Sequence, residues 1–290
     1  MTDSVYSAAQ LRVHSLGTGE DRLVLESSTE LFEAPNWTPD GRHLIVNSAG
    51  RLYRVGTRGV ELEPIDSGSL TDVNNDHILS PDGQILYVSS QDGHLYSLPA
   101  SGGSPRRITN DHGADFHHYL HGISPDGRTL AYVGVEPHNG VPGAYRNIFT
   151  IPSDGGQDTR LTDTPMAADG PEFSPDGQWI FFNREVGAAG GGHAQLFKMR
   201  PDGTELTQLT FDRRVNWFPH PSPDGTTVLY LSFPTGTLGH PAGRDVILRT
   251  VTPDGDDVTD VVSLRGGQGT VNVNSWAPDS DQFAYVAYPG

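Results

Sequence analysis

One tetrapeptide recurs along the whole chain and limits what it can fold into. Ser-Pro-Asp-Gly stands at 80–83, 124–127, 174–177 and 222–225, with Thr-Pro-Asp-Gly at 38–41 and a worn copy, Ala-Pro-Asp-Ser, at 277–280. The prolines are Pro39, Pro81, Pro125, Pro175, Pro223 and Pro278, so the steps are 42, 44, 50, 48 and 55 residues. A period in the forties built from short strand-like runs is the mark of propeller blades. Six copies predict six blades.

Each unit has the makings of one antiparallel sheet. In the second unit, 75–80, 84–89, 94–98 and 106–109 are rich in β-branched and aromatic residues. Pro-Asp-Gly, Gln-Asp-Gly and Ser-Gly-Gly separate them, and each supplies turn chemistry: Gly a positive φ, Asp a bond to its own backbone, Pro a fixed φ. The runs read as strands A to D, with A innermost. Helical periodicity is sustained nowhere. Before the first Pro-Asp-Gly lie two runs, 10–15 and 21–26, and after the last lies only 282–286. The N-terminus is therefore expected to supply strands C and D, and the C-terminus strands A and B, of a composite sixth blade, which removes open sheet edges. The fold class is all-β: a six-bladed β-propeller with four antiparallel strands per blade, in one domain over 1–290.

Composition bears on partners. Formal charge is 19 − 36 = −17, which argues against nucleic acid or an anionic membrane as partner. Cysteine is absent, so thiol and disulfide chemistry are excluded. The first residues lack the basic and apolar regions of a secretory signal. No run approaches the ~18 apolar residues of a membrane span. A cytoplasmic location is the expectation.

The repeat, Ser-Pro-Asp-Gly followed by an apolar strand, Leu/Ile-Tyr/Phe, Gly-Gly and Arg/Gln-Leu-Thr, resembles the TolB-type propeller repeat over essentially the whole chain. That repeat is also found in the propellers of prolyl oligopeptidase relatives and of oligogalacturonate lyase. The resemblance is specific for fold and not for function, because this fold hosts transport accessories, peptidase gates and lyases. The segments 119–127, 169–177, 217–225 and 266–278 are similar to those of small bacterial TolB-like proteins. In oligogalacturonate lyase, three His and one Gln hold a manganese ion. The segment 216–221 resembles that family's His-Pro-rich stretch only loosely, and the Gln-x-x-His-x-His spacing is not reproduced. No Gly-x-Ser-x-Gly elbow is present, so a prolyl oligopeptidase is excluded.

Strand A of every blade lines the axis, so equivalent positions should converge on one funnel. They are expected toward the face opposite the Pro-Asp-Gly turns. Four residues before the proline the column reads Pro35, His77, His121, Pro171, Pro219, Asn274; six before, Glu33, Asn75, Tyr119, Asp169, Trp217, Asn272. Three before, it includes Asn36, Glu172 and His220. Such buried strands should be apolar, and the polar residues point to a ligand site or an internal network. The candidate catalytic set is His121 or His220 as base with Asp169 or Glu172 as orienter or acid. Glu33, Asn75, His77, Tyr119, Trp217, His240, Arg244, Gln268, Asn272 and Asn274 are the ligand-binding candidates. A divalent metal, Mn, Ca or Zn, is the candidate cofactor, with His77, His121 and His220 as candidate ligands. His112, His117 and His138 are expected as exposed loop histidines. Long B–C loops at 135–146, 185–194 and 234–245 are expected to open on the same face. The Gly-rich 266–270 lacks the Lys and helix of a phosphate loop. The expected ligand is a small polar molecule, a sugar, sugar acid or glycoside, bound or processed by a lyase or hydrolase. The competing classes are a protein-interaction scaffold and a solute sensor.

Overall fold

The computed structural model describes residues 8–59, 62–139, 141–187 and 191–289. The chain opens with β1 (Ala9–Ser15) and β2 (Asp21–Ser27). Blade 1 comprises β3 (Glu33–Trp37), β4 (His43–Ser48), β5 (Arg51–Gly56) and β6 (Glu63–Ile65). Blade 2 comprises β7 (Val73–Leu79), β8 (Ile85–Ser90), β9 (Leu95–Pro99) and β10 (Arg106–Arg107). Blade 3 comprises β11 (His117–Ile123), β12 (Thr129–His138), β13 (Val141–Pro152) and β14 (Thr159–Arg160). Blade 4 comprises β15 (Ala168–Phe173), β16 (Ile180–Glu185), β17 (Ala194–Met199) and β18 (Thr207–Gln208). Blade 5 comprises β19 (Val215–Pro221), β20 (Val228–Phe233), β21 (Arg244–Val251) and β22 (Thr259–Gly266), and β23 (Gln282–Ala287) ends the chain. Strands pair in sequence order within each of these five blades, giving the six-bladed β-propeller.

Blade 6 closes the ring. β1 lies between β2 and β23, with Gln10 opposite Ala287 and Ser15 opposite Gln282. Tyr285 Oη donates to Asp21 Oδ2 at 2.5 Å and Ser15 Oγ to Asp281 Oδ2 at 2.7 Å, tying the two termini together. The innermost strand of this blade differs from expectation: it is reduced to a bridge between Trp276 and Phe283. Before it, the chain folds onto itself instead. Gly267 N donates to Thr270 Oγ1 and Gly269 N to Asn272 Oδ1, side-chain bonds that compete with a ladder.

The Pro-Asp-Gly turns share one geometry. In blade 2, Ser80 Oγ donates to Asp82 Oδ1 at 2.6 Å and accepts from Ile85 N at 2.9 Å, while Gln84 N donates to the same Asp82 oxygen. Gly83 adopts φ +70°, open to glycine at no steric cost. An added Cβ there would press on Pro39 of the preceding blade at 3.1 Å. The turns thus interlock blade to blade on one face. In the worn copy, Ser280 takes the same left-handed conformation, and its Oγ accepts from Asp224 N of blade 5.

Apolar side chains fill the seams between blades. One cluster joins Trp217, Leu229 and Leu248 of blade 5 to Trp276, Phe283 and Tyr285 of blade 6. Another joins Ile78 and Tyr87 of blade 2 to Leu120, Tyr132 and Phe149 of blade 3. The expected loop at 135–146 is instead an extension of the β12–β13 hairpin, with Val135 opposite Arg146 and Glu136 opposite Tyr145. Val135, Val141 and Tyr145 carry the strand propensity that favours pairing over a free loop there. Gly140 lies outside the described residues, as do 188–190 of the expected loop at 185–194.

The β1–β23 seam generates the first prediction. Deleting residues 1–27 removes β1 and β2 and leaves β23 as a bare edge. Size-exclusion chromatography should show loss of the native peak to aggregates. A folded monomer with an unchanged melting temperature would contradict the closure.

Candidate functional site

Each inner strand of blades 1 to 5 breaks register with its neighbour. The breaks fall between Glu33 and Asn36, Val73 and His77, Leu120 and Gly122, Asp169 and Glu172, and Trp217 and His220. A bulge of this kind re-aims the side chains around it. The axis is therefore lined differently at its two ends. Toward the turns lies a chamber of about 420 Å³ walled largely by Pro39, Pro81, Pro125, Pro175, Ile78 and Trp276. At the other end lies a polar pocket of about 320 Å³. Inner strands supply Asn75, Asp76, Tyr119 and Asp169 to it, β13 supplies Arg146, and the connections supply His240, Gln268 and Asn272. His121 borders both spaces.

His121 is the centre of the polar pocket. Its Nε2 lies 3.2 Å from Asp169 Oδ1 and its Nδ1 3.2 Å from the Asn272 carbonyl oxygen. Two acceptors on two ring nitrogens favour the doubly protonated imidazolium. Burial alone would push its pKa down. The negative field of Asp76 and the bonded Asp169 override this and raise it to about 9. Asp76 is buried, and burial raises its carboxyl to about 6 against the pull of His121, with Asp169 adding to the rise. Asn74 donates to Asp76 Oδ2 at 2.9 Å, and Asn272 also bonds the carboxyl. Burial works against the charge of Asp169 too, but the bond and positive field of His121 outweigh it and hold its pKa below the usual range. Two carboxyls on one imidazolium are thus driven apart, one toward neutrality and one toward charge.

The far wall is built by aromatic contacts and close backbone approach. Phe218 sits at the bulge of β19 with φ +55°, a conformation that is strained for a bulky residue. Phe218 N donates to Asn183 Oδ1 at 3.0 Å, which holds it there. Its ring lies 5.7 Å from that of His121 and 5.0 Å from that of His240. Gly267, at φ +126°, lets the 266–270 turn press against the Pro241 carbonyl, where a Cβ would collide. That contact brings Gln268 onto His240 Nδ1. Burial lowers the His240 pKa despite Asp169 nearby.

The remaining candidates fall elsewhere. His220 Nδ1 faces Glu172 Oε2 at 2.6 Å and its Nε2 faces the Val271 carbonyl at 2.9 Å. Asn274 donates to the other Glu172 oxygen and, at 3.2 Å, to the Pro221 carbonyl. Glu172 and Asn274 border the turn-side chamber, and with His220 they staple blades 4, 5 and 6. Trp217 packs in the core behind the pocket with its ring 4.5 Å from His240. Glu33 lies against the Gly269 turn and Asn47, with burial raising its pKa. Arg244 is exposed at the start of β21, outside the pocket. His77 is fully buried with Nε2 3.3 Å from the Ile45 carbonyl, and burial pushes it down to about 4.

The expectation that His77, His121 and His220 share a metal is corrected by these contacts. Both ring nitrogens of His121 and of His220 already face oxygens, and His77 points into blade 1. The axial residues therefore do not fit the three-His, one-Gln manganese site implied by the oligogalacturonate lyase resemblance. The columns three, four and six before the proline missed Asp76, which lies five before it, with Ala34, Leu120, Gly170, Phe218 and Val273. Asp76 is the one acid in that column, and this was the signal available. Arg146 was hidden as the end of a supposed loop.

These features define a six-bladed propeller with a charged pocket on its axis. No family model matches the chain. It is 38% identical over 285 residues to an uncharacterised protein of Agrobacterium fabrum, covering 97% of this chain and 92% of that one. A solved structure from Agrobacterium tumefaciens that carries the TolB name superposes with a TM-score of 0.88 at 38% identity, covering 97% and 98% of the two chains. The chain belongs to the TolB-like β-propeller family. It is 25% identical to the Tol-Pal system protein TolB of Francisella tularensis over 88% of its own length but spans only 56% of that protein. An oligogalacturonate lyase solved with manganese shares the fold alone, with a TM-score of 0.58 at 15% identity, covering 88% of this chain and 67% of that one.

The raised pKa of His121 has a sign that can be tested. Folded protein holds this proton between the ordinary 6.5 and about 9, while the unfolded chain releases it. The stabilisation is full below 6.5 and is lost as pH rises through 9. Melting curves of the native protein and His121→Gln should differ most near pH 6 and converge by pH ~10. A constant gap over this range would contradict the assignment.

Proposed function

We propose that this TolB-like propeller binds a small polyhydroxylated ligand, a sugar or sugar acid, in the polar axial pocket. We further propose that Asp76 moves a proton on it in a lyase- or hydrolase-type reaction, beside the charged His121. The observation that carries the reading is the split of two carboxyls across one imidazolium. Asp76, near 6, exchanges its proton close to neutrality, as a general base or acid should. His121, with its two N–H groups bonded to Asp169 and the Asn272 carbonyl, stabilises negative charge developing on the ligand through its own positive charge rather than acting as base. Asp169 holds the His121 ring and stabilises its charge. Arg146 at the rim suits a ligand carboxylate, and Tyr119 with the amides of Asn75, Gln268 and Asn272 suits hydroxyl groups. A volume of about 320 Å³ sits at the small end of the ~300–1,000 Å³ range of ligand pockets, in keeping with one or two sugar rings.

A protein-docking scaffold is the competing class, and it leaves the buried charges of the pocket without a role. A thermal-shift panel of monosaccharides, disaccharides and uronates, followed by calorimetry on the hits, tests the proposal. Asp76→Asn should weaken binding about 10- to 150-fold, as expected for a hydrogen bond to a charged group worth about 1.5–3 kcal/mol, and His121→Gln should weaken it by removing the buried positive charge. Hits bound equally well by both folded variants would refute it, as would a panel with no hit at all.

A further inference from the structure

A second cluster lies away from the axis, in the seam between blades 2 and 3. His112, His118 and Asp158 each offer one ligand atom within 4.8 Å of the other two. Among the described residues, this is the one such group of three. None of the three borders either axial space. His118 is the second residue of β11 and is buried, 1% exposed. Its Nδ1 donates to the Gly93 carbonyl at 2.7 Å. That bond fixes the tautomer and leaves a lone pair on Nε2, which is buried and has no hydrogen-bond partner. An orphaned buried acceptor is costly and asks for an explanation. A ligating histidine almost always gives its other N–H to a carbonyl or carboxylate in this way.

The other two residues are arranged to complete a site. Asp158 Oδ1 accepts from Tyr132 Oη at 2.7 Å, and its Oδ2 accepts from Asn110 Nδ2 at 2.6 Å. Those bonds orient the carboxylate as the shell around a metal ligand does. His112 Nε2 lies 2.9 Å from Asp158 Oδ2, with its ring 4.7 Å from Phe116. His112 is 36% exposed at its side chain against 8% for Asp158, so the cluster opens to solvent on one side only.

We propose that His112, His118 and Asp158 bind one divalent cation of the zinc class, Zn²⁺, Co²⁺ or Ni²⁺, with water in the remaining position. Two imidazoles and one carboxylate select these ions over Mg²⁺ and Ca²⁺, which prefer oxygen. On entry the ion replaces the proton between His112 and Asp158, and His112 ligates as its Nδ1–H tautomer. His112 comes from the connection leaving blade 2, while His118 and Asp158 belong to blade 3. The ion therefore clamps the seam between the two blades.

Cobalt titration of untagged, chelator-treated full-length protein tests the site, read by visible d–d absorption. One saturable equivalent with low-coordinate cobalt bands, bleached by added Zn²⁺, is the expected result. His112→Ala and Asp158→Asn lie at or near the surface, so their folding can be verified by circular dichroism. Each should weaken cobalt binding about tenfold or more, and Tyr132→Phe should weaken it about tenfold. Asp76→Asn should leave it unchanged. The proposal fails if no saturable equivalent binds. It also fails if His112→Ala and Asp158→Asn bind as the native protein does, or if Asp76→Asn alone abolishes binding.

Discussion

The bulge in each inner strand is the constraint on which the axis depends. An inner strand packed between neighbouring blades would otherwise send alternate side chains into two apolar seams and leave little for the centre. In blades 1 to 5 a bulge of one or two extra residues, placed four to seven positions before the proline, breaks that alternation. It turns Asp76, Tyr119, His121 and Asp169 toward one pocket, and Glu172 and Asn274 toward the chamber by the turns. Where the bulge demands a left-handed residue, blade 4 uses Gly170, while blades 1 and 5 use Ala34 and Phe218. The last of these costs on the order of 1–3 kcal/mol, and the ring so placed forms a wall of the pocket.

The pocket is expensive in other ways. Asp76, His121 and Asp169 are all buried, and removing one member of a buried pair costs about 3–5 kcal/mol because the other charge is left behind. Yet well-packed apolar residues in their place are often neutral or stabilising. Stability alone therefore does not account for three titratable groups on the axis, which is why we propose a ligand and a proton transfer there. The turn-side group of Glu172, His220 and Asn274 is different. Its strong donors and acceptors are paired with one another or with backbone carbonyls, which suits a staple between blades.

The repeat made the blade count and the composite closure legible, because Pro-Asp-Gly turns are local chemistry: Ser80, Asp82 and Gly83 form their bonds within six residues. Tyr119, Asp169, His121, His240, Gln268, Asn272 and Asn75 do meet in one pocket. What spacing could not show was the bulge, since a register shift is a property of two strands. Counting back three, four and six residues from proline passes over Asp76 and puts His77 at the axis. Long-range contacts were equally hidden: the His118 bond to Gly93, 25 residues away in sequence, turns what reads as a His-rich loop into an ordered cluster. The Gly267 approach to Pro241 likewise has no local signature.

We propose ligand chemistry among Asp76, His121 and Asp169, on the face away from the Pro-Asp-Gly turns. A crystal structure of the protein soaked with the strongest sugar or uronate hit tests it most directly. The account predicts density in the pocket within hydrogen-bonding distance of Asp76 and beside the His121 ring, with Arg146 closing on it. Density confined to the proline-lined chamber or to the outer strands, with the polar pocket holding only water, would contradict it.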